Sequence, residues 1–130
     1  MNANPIFLSL GEVIEIHRDQ IERYGGDPGI RDLGLLQSAL AMPAAGFGGR
    51  YLHTNLFEMA SAYIFHITQN RPFIDGNKRT GTVASVVFLS LNGVDVEADE
   101  EEFERTVFGV AEGKLDKAAV AEFFRKNSRP

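Results

Sequence analysis

Cysteine is absent from the chain, which excludes disulfides, thiolate metal sites and a cysteine nucleophile. Long hydrophobic runs are also missing. No uninterrupted apolar stretch approaches about 18 residues, so no transmembrane helix is expected. Met1 to Leu10 has no basic start, and its apolar run, Ile6 to Leu8, stops at Ser9, too short for a signal peptide. Nor is there an excess of positive charge. The formal net charge of −5 argues against broad electrostatic binding to DNA or RNA, but permits a local cationic pocket. The lack of cysteine is compatible with a reducing cytosol. A cytoplasmic protein with no membrane partner and no direct nucleic-acid partner is the expectation.

What remains is an ordinary globular composition, 44% hydrophobic and 24% charged, so a packed core is expected. Residues 1–130 read as one domain, since this length suffices for a single core and no linker, repeat or low-complexity tract divides it.

Ser9 and Glu12 have capping-box spacing, and Val13, Ile14, Ile21 and Tyr24 follow at helical period with His17 on the same face. The run Gly25-Gly26-Asp27-Pro28-Gly29 stops that helix. Asp32 is placed to cap a shorter one that carries Leu35, Leu36, Ala39 and Leu40 and ends near Pro43. Ala44 to Thr54 interleaves Gly46, Gly48 and Gly49 with Phe47, Arg50, Tyr51 and His53. Two readings stand side by side here: a loop or hairpin that flaps over a pocket, or one whose Phe47 and Tyr51 fold back on the core. Asn55 to Asn70 and Gly76 to Leu91 are apolar around most of their circumference, as central helices are. An acidic first turn at Asp99 to Glu102 and a start at Asp116 predict two more helices. The whole is an all-α fold of about six helices, with room for a small β-hairpin.

Between the two central helices lies Asn70-Arg71-Pro72-Phe73-Ile74-Asp75-Gly76-Asn77-Lys78-Arg79-Thr80-Gly81. A helix start offers free N–H groups and positive partial charge. Gly76 permits close backbone approach, and Lys78 and Arg79 add cations where they oppose the helix dipole, a cost best accepted where an anion binds. Asp75 is a candidate Mg²⁺ ligand alongside phosphate oxygens. A polar loop with Asp75 as a mere cap and solvated Lys78 and Arg79 is the plainer alternative, because short motifs recur by chance.

The stretch RPFIDGNKRTG resembles the Fic/Doc (Fido) superfamily loop, H-P-F-x-D/E-G-N-G/K-R, and is closest to its Doc (death-on-curing) branch, which has Lys at the G/K position. The segments GGDPGIRDLGLLQSAL, FLSLNG and VAEGKLD are similar to Doc landmarks, so the likeness spans nearly the whole chain. The resemblance implies a helical Fido fold and an enzyme that transfers part of a nucleotide to a protein hydroxyl. It implies that Asp75 binds Mg²⁺, that Gly76 and Asn77 form the anion-binding turn, that Lys78 and Arg79 hold the phosphates of ATP, and that Phe73 anchors the loop. The AMP-transferring branch typically carries a second Arg three residues after the first. Thr82 stands there, which favours phosphoryl transfer.

Arg71 departs from the pattern, because the family places its general-base histidine at this position. A guanidinium stays protonated and has no acceptor, so it cannot take a proton from a hydroxyl. Loss of a general base costs on the order of 10²–10⁴ in rate. His66 is expected to be partly buried against backbone, His53 to sit in the loop after Pro43, and His17 to pack on its helix; none is expected to replace the base. Either the change was introduced into an otherwise active protein, which the retention of Asp75, Asn77, Lys78 and Arg79 favours, or the chain is a pseudoenzyme.

The resemblance thus implies a toxin of a toxin–antitoxin pair, a kinase acting on a translation factor and crippled at Arg71. The alternatives are a non-catalytic Fido binder of nucleotide or protein, or an AMP-transferring Fic enzyme. The implied partner is an antitoxin whose disordered tail folds on the toxin. Thr106 to Gly113 has the wrong spacing for the inhibitory helix of regulated Fic enzymes, so inhibition in cis is not expected.

Overall fold

A computed structural model describes residues 4–130; the first part of the N-terminal reading, residues 1–3, lies outside the described residues. Six helices carry the fold: α1 (Leu10–Tyr24), α2 (Leu33–Ala41), α3 (Leu56–Asn70), α4 (Asn77–Leu91), α5 (Glu100–Ala111) and α6 (Lys117–Lys126). Two short antiparallel pairs accompany them. β1 (Gly46–Phe47) pairs with β2 (Arg50–Tyr51), and β3 (Asp95–Val96) with β4 (Ser128–Arg129). The all-α expectation holds, and the helix boundaries follow the capping chemistry. Ser9 and Glu12 complete the capping box, while Asp32, Asn55, Asp99 and Asp116 each accept a first-turn amide of their own helix.

α3 is the axis of the molecule. It packs against α2, α4, α5 and α6, which explains an apolar surface on nearly every side of it. Ala60, Tyr63, Ile64 and Ile67 are fully buried and join Phe88, Phe124, Val110 and Leu36 in one core. The closest seam is with α4. A Cβ built on Gly81 would stand 3.4 Å from the Ile64 Cα, so the helices meet backbone to backbone there. That contact fixes how the last turn of α3 and the first turn of α4 face each other, and hence the shape of the loop between them.

The hairpin of β1 and β2 exists, but neither reading of it survives intact. Phe47 is 94% exposed, so it does not fold into the core. Tyr51 meets Phe7, whose ring stacks on Phe88. Phe88 lies about three turns along α4 from Asn77. The hairpin is therefore tied to the far end of α4 and is not a flap over the loop at its start. The segment that crosses that loop is 25–32, through an isolated bridge between Ile30 and Phe73.

Candidate functional site

The chain reverses between α3 and α4 in a loop whose backbone is fixed at nearly every residue. Arg71 ends α3 in the left-handed region, φ 48° and ψ 55°, and is the one non-glycine with positive φ among the described residues. Its N–H still bonds to the Ile67 carbonyl at 3.1 Å. Phe73 is buried and lies flat on the His17 ring, with centroids 3.7 Å apart. Asn77 turns back onto Phe73, accepting its N–H on Oδ1 at 3.0 Å and donating Nδ2 to its carbonyl at 2.9 Å. The Asp75 carbonyl accepts from His17 Nε2 at 2.8 Å, and Asp75 Oδ2 accepts the Asp27 N–H at 2.8 Å. Gly76, at φ 82°, starts α4 with no side-chain cap.

That last feature separates α4 from the other five helices, each of which has a side-chain oxygen on its first turn. The first intrahelical bond is Thr80 N–H to the Gly76 carbonyl at 2.9 Å, which leaves the amides ahead of it aimed outward. They open into a cleft of about 330 Å³ lined by Thr68, Arg71, Ile74, Asp75, Gly76, Asn77, Lys78, Phe108, Ala111 and Glu112. Lys78 Nζ lies 5.1 Å from the Phe108 ring centroid and has no carboxylate partner among the described residues. Arg71 is also exposed and without a carboxylate partner among them. A helix start with positive partial charge, beside two cations that lack a carboxylate partner among the described residues, offers donors of the kind that suit an oxyanion.

The loop thus brings Arg71, Asp75, Gly76, Asn77 and Lys78 to one cleft. It does not bring Arg79. Its Nη2 donates to the Gly25 carbonyl at 3.0 Å, and its guanidinium lies 5.4 Å from the Tyr24 ring centroid, on the α1 side of Gly76. Tyr24, expected on the buried face of α1, is accordingly exposed. Asn77 acts on the turn itself, because both ends of its amide are occupied by Phe73. Asp75 keeps its second carboxylate oxygen, Oδ1, without a hydrogen-bond partner among the described residues. An exposed carboxylate with a free oxygen beside an anion cradle fits a hard, oxygen-seeking cation such as Mg²⁺.

None of the three histidines lines the cleft. His17 is buried under Phe73, and burial lowers its pKa against the opposing pull of the Asp75 carbonyl. His53 and His66 meet elsewhere: Lys117 Nζ stands 3.2 Å from His53 Nε2 and 3.1 Å from His66 Nε2. The expected backbone partner of His66 is thus replaced by a lysine from α6. Burial, then the Lys117 charge, then His53 push the His66 pKa down to about 4. Sequence periodicity cannot reveal this cluster, because its members come from three separate segments.

Fold and site together define a small helical domain whose central helix–loop–helix presents an uncapped helix start beside a carboxylate. The chain matches the model of the Fic/DOC family over residues 7–89, and it belongs to that family. It is 34% identical over 119 residues to the protein kinase doc of Escherichia phage P1, which covers 92% of this chain and 93% of that protein. It is 40% identical over 76 residues to the toxin Doc of Mycolicibacterium smegmatis, 58% of each chain.

Proposed function

We propose that this chain is a Doc-type toxin of a toxin–antitoxin pair. Its cleft holds the phosphates of ATP for phosphoryl transfer to a hydroxyl of a translation factor, and Arg71 withholds the general base. The carrying observation is the uncapped start of α4, flanked by Asp75, Lys78 and Arg71. The two relatives, one named a kinase and the other a toxin, support the same reading. The first-turn amides and Lys78 take the phosphate oxygens; Asp75 offers its free oxygen to Mg²⁺, which supplies neutralisation of phosphate charge when bound. Phe108 and Ala111 form an apolar wall opposite. Arg71 adds a third positive element to binding, but no acceptor for the hydroxyl proton. Residues 1–130 act as one Fido domain in this reading, and its setting is the cytoplasm.

A second reading has a specific observation in its favour. With His17, His53 and His66 all engaged outside the cleft, nothing in place of Arg71 offers a neutral-pKa acceptor there. The chain as written would then bind nucleotide without turning it over. Radiolabel transfer from ATP into a bacterial lysate separates the two. The comparison is between the chain as it stands, Arg71→His, and Arg71→His with Asp75→Ala. Phosphotransfer predicts labelling of one translation-factor band by the second protein alone. Retained MgATP binding with no labelling by Arg71→His leaves the non-catalytic reading.

A further inference from the structure

The carbonyls of residues 70, 71 and 72 face out from the end of α3, where a helix leaves its last acceptors unpaired. All three are taken by one neighbouring residue pair. Arg31 Nε donates to the Arg71 carbonyl at 2.6 Å, and Arg31 Nη2 to the Asn70 carbonyl at 2.7 Å. The main-chain N–H groups of Arg31 and Asp32 both donate to the Pro72 carbonyl, at 2.7 and 3.0 Å. One edge of a planar guanidinium thus spans two successive carbonyls, and its positive charge sits at the negative end of the α3 dipole. α3 itself supplies no basic residue in its last turn. Between those carbonyls lies the strained residue of the loop, the left-handed Arg71. Such a conformation persists only where its surroundings over-determine it.

We propose that Arg31 is a positioning residue: its two-pronged grip on the Asn70 and Arg71 carbonyls holds position 71 left-handed, with its side chain directed into the cleft. The inference rests on the phosphotransfer reading only for its kinetic consequence, not for the grip itself. Arg31 lies outside the cleft and touches no reacting atom. The grip needs the fork as well as the charge. Lysine at this position would place a point charge near one carbonyl and leave the other unbonded.

The test uses Arg31→Lys and Arg31→Met, with Arg129→Met as a distant surface control. In the chain as it stands, amide exchange is followed residue by residue. The Arg71, Phe73 and Ile74 amides should exchange about tenfold faster or more in both Arg31 variants, while α6 is unchanged. MgATP affinity should fall no further than it does in Arg71→Asn, since Lys78 and the α4 amides are untouched and only the aim of the Arg71 cation is released. In the Arg71→His background, kcat for phosphate transfer should fall by about tenfold to a hundredfold, with KM for ATP nearly constant, as expected of a misdirected base. Unchanged exchange across 71–74 overturns the proposal. So does uniform acceleration across the whole chain, or a kcat that Arg31→Lys leaves intact in an active background. Local release of the loop in a chain whose Arg71→His form never labels a substrate would instead refute the phosphotransfer reading and leave the grip standing.

Discussion

Asn77 holds Phe73 from both sides, with Oδ1 on its amide at 3.0 Å and Nδ2 on its carbonyl at 2.9 Å. The first residue of α4 thereby closes the loop that precedes it. Because Phe73 is buried and stacked on the His17 ring, the same clasp seats the loop on the core. The adjacent amides of α4 stay free because the side chain nearest them turns away from them.

Removing that clasp should therefore damage both stability and binding. Asn77→Ala leaves two partly buried backbone groups unpaired, a cost of about 1–3 kcal/mol in urea unfolding. Asn77→Asp keeps the acceptor for the Phe73 amide but cannot donate to its carbonyl, so its loss should be the smaller of the two at neutral pH. MgATP binding should weaken in both, because the cleft is shaped by this turn. Full stability in Asn77→Ala would show that Phe73 is seated by packing alone.

Acid should loosen the protein in a defined window. The histidine pKa in an unfolded chain is near 6.5, whereas burial pushes His66 to about 4 and lowers His17 and His53 as well. Between those values the unfolded chain binds more protons than the folded one, so stability is fully present above about pH 6.5 and is lost as pH falls toward 4. Two neutral imidazoles accept from Lys117; protonating either would face it against an ammonium. Unfolding midpoints at pH 7.5, 6, 5 and 4.5 should decline progressively, and His66→Gln should flatten the slope. A midpoint independent of pH over this range would contradict the depressed histidines.

Nucleotide binding should depend on Lys78 more than on either of two other cations. Lys78→Ala removes a charge-assisted contact and should weaken MgATP by about tenfold in calorimetry. Lys126→Ala, on the last turn of α6, should change nothing. Arg79→Ala should fall between them, since its guanidinium is engaged by Gly25 and Tyr24 and must leave both to reach a phosphate. Equal effects of all three would mean that the cleft at the start of α4 is not the nucleotide site.

The helices were legible because their signals are local: caps at Ser9, Asp32 and Asp116, an acidic first turn at Asp99 to Glu102, the glycine stop that begins at Gly25, and apolar faces at helical period. The cleft was legible for the same reason, since Arg71 to Lys78 are contiguous. What escaped involves backbone partners far away in sequence. The crossing of residues 25–32 over the loop runs largely onto the main-chain carbonyls of residues 70–72, acceptors that every residue type carries, and the pairing of β3 with β4 joins Asp95–Val96 to Ser128–Arg129. The hairpin was anticipated, but its seat on Phe7 was not, because aromatic spacing does not reveal which end of a helix a loop will meet. Arg79 turns to the α1 side, onto Gly25 and Tyr24, for a reason the residue string does not display: adjacent residues on a helix point about 100° apart, so Lys78 and Arg79 leave α4 in different directions.

Position 71 allows strain and chemistry to be separated. A non-glycine in the left-handed region carries a penalty of about 1 kcal/mol or more, and an arginine has no local hydrogen bond with which to offset it. Arg71→Asn suits the conformation and should raise stability by about 0.5–1 kcal/mol. It should also weaken MgATP, because one cation beside the phosphates is lost. It should not yield phosphate transfer, since a carboxamide is not a base at neutral pH. Arg71→His also tolerates the left-handed region and adds a nitrogen that can accept a proton. The two variants should therefore resemble each other in unfolding midpoint and nucleotide affinity, yet differ in labelling of the lysate. Activity in Arg71→Asn would mean that relief of strain, not a proton acceptor, is what the arginine denies. Identical inactivity with intact binding would place this chain among non-catalytic binders whatever stands at position 71.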